Sequence, residues 1–176
     1  MCGIAGFYCP DADYTAEKGK WLHILNDMNR AQKRRGPDDE GTYLSPSCGL
    51  AHVRLEIIDL ITGQQPMVRK QADRECAIIF NGEIYNMKEL KTELLLEGAE
   101  FNTASDTEVI LAGYMLHGKD YIKKLNGIFA IALWDSIPGQ IFLFRDRLGV
   151  KPLFYTKLAK PLFSLPKSRV CSPIRV

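Results

Sequence analysis

The spacing of apolar residues changes period several times along this chain, and each change marks an element. Residues 3–8 alternate small and β-prone types and predict a strand at the extreme N-terminus, where chains ordinarily fray. Trp21, Leu22, Leu25 and Met28 then recur at helical spacing and predict a first helix from about Ala16 to Lys33, stopped by Gly36-Pro37. Short β-prone runs at 42–44, 50–53 and 56–58 read as strands separated by Ser45-Pro46-Ser47, and residues 63–66 break the chain again. Residues 75–80 predict a buried strand running into Asn81-Gly82, a dipeptide that tolerates positive φ and predicts a tight turn.

A second helix follows that turn, with a capping-box pattern at Asn86 and Glu89, an apolar face of Leu90, Leu94 and Leu95, and Gly98 at the C-cap position. A third opens on the capping box Ser105-Asp106-Thr107-Glu108, turns Val109, Ile110, Gly113 and Leu116 inward and ends at His117-Gly118. Residues 128–134 and 141–144 predict two strands joined by a loop containing Pro138-Gly139, and residues 153–155 a further short one. The pattern is α+β, with strands clustered towards both ends and helices between them. From residue 157 onward there are three prolines, scattered basic residues and no period, so residues 157–176 predict an irregular tail after a domain spanning 1–156.

Composition narrows the classes of function more than it names one. The 176 residues are 46% apolar and 25% charged, which fits one folded globular domain and not a disordered or coiled-coil chain. Lys and Arg number 23 against 21 Asp and Glu, with no basic patch beyond Lys33-Arg34-Arg35, so nucleic acid is not an expected partner. The longest apolar stretch, 128–134, is far short of the roughly 20 residues of a membrane span. The N-terminus has no basic leader of a secretory signal, and a cytoplasmic protein outside the membrane is the expectation. The five cysteines show no metal-type spacing; Cys48 and Cys76 are expected as small buried hydrophobes, and no metal is expected.

Cys2 differs from the others because it follows Met1. Removal of the initiator leaves a residue that carries a thiol and a free α-amine, and an α-amino group titrates near pH ~8, where it can take the thiol proton directly or through water. By itself a Met-Cys start is weak evidence. Five further blocks occur with it in order: Arg35-Gly36-Pro37-Asp38, Ala51-His52-Val53-Arg54-Leu55, Asn81-Gly82-Glu83-Ile84-Tyr85-Asn86, Ser105-Asp106-Thr107-Glu108 and Arg145-Asp146-Arg147-Leu148-Gly149. Together with Met1-Cys2-Gly3-Ile4-Ala5-Gly6 they resemble, over about residues 1–156, the glutaminase domain of glutamine-hydrolysing asparagine synthetases, a branch of the class II glutamine amidotransferases.

The resemblance implies an N-terminal-nucleophile (Ntn) hydrolase, a four-layer αββα sandwich with two antiparallel sheets, that hydrolyses L-glutamine to glutamate and ammonia. It implies Cys2 as the nucleophile forming a γ-glutamyl thioester, with the Asn81 side-chain amide and the Gly82 N–H as oxyanion hole. It further implies Arg54 for the glutamine α-carboxylate, Asp106 for the α-ammonium, and Glu83 with the backbone of Ile57 and Ile58 as lining of the glutamine site. Each has a plain alternative: a tight turn for Asn81-Gly82, a surface ion pair for Arg54, and a first-turn helix carboxylate for Asp106. Residues 35–38 and 145–147 read as structural, His23, His52 and His117 as unremarkable, and Tyr85 with the aromatic residues of 129–155 as core.

The family's Ser-Gly-Gly-x-Asp-Ser phosphate loop and any Walker-type loop are missing from the 176 residues. The chain is therefore expected to need no cofactor and to supply ammonia to a synthetase domain or subunit, where ATP and magnesium would be used to make asparagine from aspartate. Assembly as a homodimer is left open. Alternatives are a different ammonia acceptor, a non-catalytic interaction or regulatory module of the same fold, and a cysteine hydrolase of another amide.

Overall fold

The structure, a computed structural model, describes residues 2–55 and 63–157. The element order is β1 (Gly3–Tyr8), α1 (Lys18–Gln32), a 3₁₀ turn (Lys33–Arg35), β2 (Asp39–Leu44), β3 (Cys48–Arg54), β4 (Met67–Gln71), β5 (Arg74–Ile84), α2 (Met87–Leu96), α3 (Asp106–His117), a second 3₁₀ segment (Gly118–Lys124), β6 (Gly127–Asp135) and β7 (Gln140–Arg145). They build two antiparallel sheets, one ordered β1-β3-β2 and the other β4-β5-β6-β7.

Period-2 alternation sorts the side chains into three apolar layers. Odd-numbered residues of β1 and β3, such as Phe7 and Ala51, pack with Tyr14 and with Trp21, Leu25 and Met28 of α1. Even-numbered residues of the same strands, Ile4, Tyr8, Cys48 and Leu50, meet Ala77, Ile79, Ala132 and Trp134 of the second sheet. The opposite face of β5 and β6 carries Ile78, Phe80, Ile84, Phe129, Ile131 and Leu133 against α2 and α3. The result is the αββα sandwich of α+β class expected from the resemblance. Among the described residues no helix is long and apolar enough to cross a membrane.

One end of the sandwich is stitched shut by polar contacts. Tyr8 donates its hydroxyl to the Gly139 carbonyl at 2.7 Å, Trp134 donates to Ser47 Oγ at 3.3 Å, and the Tyr43 hydroxyl bonds Glu75. Beside them Arg74 grips the buried Asp135 through Nε and Nη2 at 3.2 and 2.7 Å, and Tyr114 donates to the same carboxylate at 2.9 Å. Cleaving this shared network costs more than losing a surface pair, because each group left behind is buried.

Most elements lie where the spacing predicts them, and the departures have physical causes. Asn81-Gly82 is no turn: both residues sit inside β5, opposite Ala130 and Phe129. β4 was not anticipated, since Met-Val-Arg-Lys-Gln is a half-exposed edge strand without an apolar run. Asn86 occupies the N-cap of α2 but makes no cap bond; its side chain donates to the Lys124 carbonyl and accepts from Asn126 N–H, tying the helix start to β6. The capping box of α3 forms by half: Ser105 Oγ accepts from Glu108 N–H at 3.3 Å, while Glu108 takes the amides of Asn102 and Thr103 and the Ser105 N–H donates to Thr103 Oγ1 at 3.2 Å instead. Gly98, at φ 88°, closes α2 as expected. Leu116 points outward at 46% exposure, and the residues 153–155 form no strand. Cys48 and Cys76 are buried and free, whereas Tyr85, Phe154 and Tyr155 are exposed and not core. The predicted strand at 56–58 and the tail from residue 158 fall outside the described residues.

Candidate active site

The open end of the gap between the sheets is where the chemistry-bearing residues meet. Gly3 pairs with Val53, so the register sets Cys2 opposite Arg54 at the mouth of the first sheet. Both are even-numbered and turn towards the second sheet, where Asn81 of β5, in register with Ile79, faces them. Cys2, Arg54, Gln65, Asn81, Gly82, Glu83, Asp106 and Lys151 are among the described residues lining one cleft of about 160 Å³. Six of the eight sequence-predicted site residues are thereby brought together; Ile57 and Ile58 lie outside the described residues.

The edge of β5 explains how a backbone amide becomes available. In an antiparallel ladder, bonded and non-bonded pairs alternate. Tyr85 N–H donates to the Asn126 carbonyl at one end and Ser136 N–H to the Glu75 carbonyl at the other, which makes the odd-numbered residues of β5 the ones bonded to β6. Phe80, Gly82 and Ile84 therefore direct their amides to the other edge. There β4 gives out, its last pair being Met67 with Ile78. Phe80 N–H is taken by Gln65 Oε1 at 2.6 Å and Ile84 N–H by Asp106 Oδ2 at 2.9 Å. Gly82, between them, keeps its N–H towards the cleft. A side chain at Gly82 would run into the Ile128 carbonyl and Phe129, so only glycine lets β6 come this close.

Asn81 is 5% exposed and its side-chain amide makes no hydrogen bond within the described residues. Asp106, the first residue of α3, is pushed above the usual carboxylate range by burial, with Glu83 adding to the effect and the Ile84 amide opposing it. A cation in the cleft would reverse that shift. Cys2 Sγ lies 3.9 Å from the Leu55 carbonyl, and Cys2's own carbonyl accepts from Arg35 Nε at 3.3 Å.

Residues 35–38 thus earn their structural role at close quarters. Gly36 lies so near the backbone of Val53 and Arg54 that a Cβ would stand 2.5 Å from the Arg54 nitrogen, and Asp38 N–H donates to the Arg54 carbonyl at 3.1 Å. One loop therefore positions both the cysteine and the arginine. The block from Arg145 works similarly. Asp146 accepts from the amides of Val150 and Lys151 at 2.8 and 2.9 Å and from Phe129 at 3.2 Å, and Arg145 Nε donates to the Lys151 carbonyl at 3.0 Å. These bonds fold the chain back so that Lys151 lines the cleft. Neither Lys151 nor Gln65 was expected from the sequence: each sits in a loop without periodicity, Gln65 reaching the site through its bond to Phe80 and Lys151 through the turn that Asp146 and Arg145 hold.

His52 is not the unremarkable residue its position implied. It is fully buried between the sheets, two residues before Arg54 on the same face of β3, and neither ring nitrogen has a hydrogen-bond partner among the described residues. Burial pushes its pKa down to about 4; the Phe80 backbone opposes the fall, the nearby Arg54 charge adds to it and Asp39 opposes it weakly. The ring is neutral in the folded chain at pH 7. A histidine with a depressed folded pKa contributes stability that is complete above the unfolded value of about 6.5 and is lost as pH falls towards 4. The loss amounts to about 3 kcal/mol if unfolded His52 behaves ordinarily. Urea denaturation at pH 7, 6, 5 and 4.5 should show this decline in wild type and a shallower one in His52→Leu; parallel profiles would refute the assignment.

Comparison with known proteins gives this arrangement its class. The family model described as the glutamine amidotransferase domain matches residues 1–167, and the chain belongs to that family. Asparagine synthetase [glutamine-hydrolyzing] 2 of Bacillus subtilis is 43% identical over 162 residues, covering 92% of this chain and 21% of the relative. Asparagine synthetase B [glutamine-hydrolyzing] of Escherichia coli is 39% identical over 154 residues, covering 88% of this chain and 26% of the relative. The chain thus spans about a fifth to a quarter of these relatives' lengths. Among solved structures, the glutamine phosphoribosylpyrophosphate amidotransferase from B. subtilis aligns with TM-score 0.54 at 25% identity, over 66% of this chain and 27% of that one. The allosteric regulatory enzyme of purine biosynthesis aligns with TM-score 0.53 at 25% identity, over 63% and 26%.

Proposed function

We propose that the chain hydrolyses L-glutamine to glutamate and ammonia through Cys2, and that the ammonia serves asparagine synthesis by a synthetase domain or subunit. The observation that carries the reading is the Gly82 amide, held open between two amides that are already taken, in the cleft shared with Cys2 and Asn81. That is the geometry an oxyanion needs, and an amide N–H aimed at developing charge costs no reorganisation during reaction.

With Met1 removed, the α-amine of Cys2 takes the thiol proton and the sulfur attacks the γ-carbonyl carbon. Charge collects on the carbonyl oxygen, which the Gly82 N–H and the Asn81 amide receive. The protonated amine then gives its proton to the departing nitrogen, and ammonia leaves a γ-glutamyl thioester. Water adds to the thioester by the same route in reverse, releasing glutamate and restoring the thiol. Arg54 takes the α-carboxylate and Asp106 the α-ammonium, so the site selects a free amino acid. Support for asparagine as the end product comes from the relatives' names, and for the ammonia acceptor from their greater length.

The test is intact mass of the purified protein before and after exposure to 6-diazo-5-oxo-norleucine. One adduct on a chain lacking Met1, suppressed by glutamine but not by glutaramide, which lacks both α-groups, is the expected result. A folded chain that takes no label refutes the reading. Asp106→Asn should keep labelling at saturation while raising the glutamine KM about 10-fold or more, since a charge-assisted bond is lost.

A further inference from the structure

We infer that Gln65 is a positioning residue for the oxyanion site, holding the edge of β5 at Phe80 so that Gly82 N–H and the Asn81 amide point at the substrate oxygen. The inference rests on the glutaminase reading above. Strand β4 stops pairing at Met67 with Ile78, so the next outward amide, that of Phe80, would be left buried and unbonded at the end of the ladder. Gln65, 8% exposed and two residues before β4, supplies the missing rung with its side chain, 2.6 Å from Phe80 nitrogen.

A carboxamide imitates one peptide carbonyl and then ends. Had the β4 backbone continued, its next carbonyl would have covered the Gly82 amide; the side-chain rung satisfies Phe80 and leaves Gly82 open. Because Phe80 can only donate, Oε1 is the atom that faces it, and the orientation of the Gln65 head group is fixed. The two proposed oxyanion donors follow immediately in the chain, Asn81 on one face of the strand and Gly82 on its edge. A tilt of the strand at Phe80 therefore displaces both, and a misplacement of about 1 Å at a reacting centre can cost about 10²-fold in rate. Asp106 fixes the far side of Gly82 through Ile84, and among the described residues Gln65 is the side chain that secures the near side.

Gln65→Met, close in volume but only a weak acceptor, should lower kcat for glutamine hydrolysis by about 10²-fold with KM changed less than about threefold. Rates are normalised to sites titrated with 6-diazo-5-oxo-norleucine, so partly unfolded protein does not enter. Gln65→Glu, whose carboxylate still accepts the Phe80 N–H, should recover kcat to within about tenfold of wild type. A merely structural role would reduce the titratable fraction and leave kcat per site unchanged, and that result overturns the inference, as does a glutamate variant no better than the methionine one. If Gln65→Met does not fold, the glutamate variant decides: kcat within about tenfold of wild type supports the role, and a loss as deep as that of Asn81→Ala overturns it. A wild type that neither labels nor hydrolyses glutamine overturns the glutaminase reading and this inference together, whereas an active wild type with an unaffected Gln65→Met overturns the inference alone.

Discussion

Replacing Cys2 with alanine should abolish glutamine hydrolysis, with a fall of about 10⁴-fold or more, because the proposed mechanism runs through a thiol and no other described residue lining the cleft carries one. The fold should be nearly indifferent to the change. Cys2 is half-buried, precedes the first strand, and its thiol makes one weak contact to the Leu55 carbonyl. Thermal melting within a few degrees of wild type is expected, as for substitutions that remove no buried packing. Glutamate release, measured beside melting, separates the two effects: activity surviving in a well-folded Cys2→Ala chain would sink the nucleophile assignment.

The second large effect is expected at Asn81. Losing one oxyanion donor costs about 10²–10³-fold in kcat, and Asn81→Ala should show this with little change in KM, since the donor matters most once charge has developed on the oxygen. The stability outcome makes the test sharper. Asn81 lines the cleft and its amide bonds to nothing within the described residues, so its removal orphans no partner. Asn81→Ala should therefore cost less stability than a truncation at its core neighbour Ile79, where burial of a branched chain is lost outright. A variant that loses activity only by unfolding would remove Asn81 from the site.

Much of this architecture was legible because its periods are strong. The alternation in β1, the unbroken apolar run of β6 and the apolar stripe of α1 are strong local signals, and six blocks in order carried the family resemblance. What failed was local reasoning at places governed by distant partners. Asn-Gly favours a turn, yet nine residues of β6 pair across β5 and hold the dipeptide extended. Asn86 followed by Glu89 is a good local cap, but the side chain finds two backbone partners near β6 instead. The site divided the same way. Cys2, Arg54, Asn81, Gly82, Glu83 and Asp106 were readable from their blocks, and the structure adds the register that joins them. Gln65 and Lys151 were not readable, because nothing in a loop's own sequence says which strand edge it will cover. The buried state of His52 likewise depends on a second sheet that contributes no local signal.

The sandwich has a sealed end and an open end, and that polarity divides the chain into what can and cannot be altered by hand. On the proposed mechanism the nucleophile uses its own amine, which forbids any permanent addition in front of Cys2 and denies the usual place for an affinity handle. The β6–β7 connection, where Ile137 is 67% exposed and Gly139 turns the chain beside Tyr8, lies at the opposite pole. Handles, probes or surface tethers grafted into that hairpin would leave the reactive mouth facing solution, and would give an immobilised form of the protein a built-in orientation.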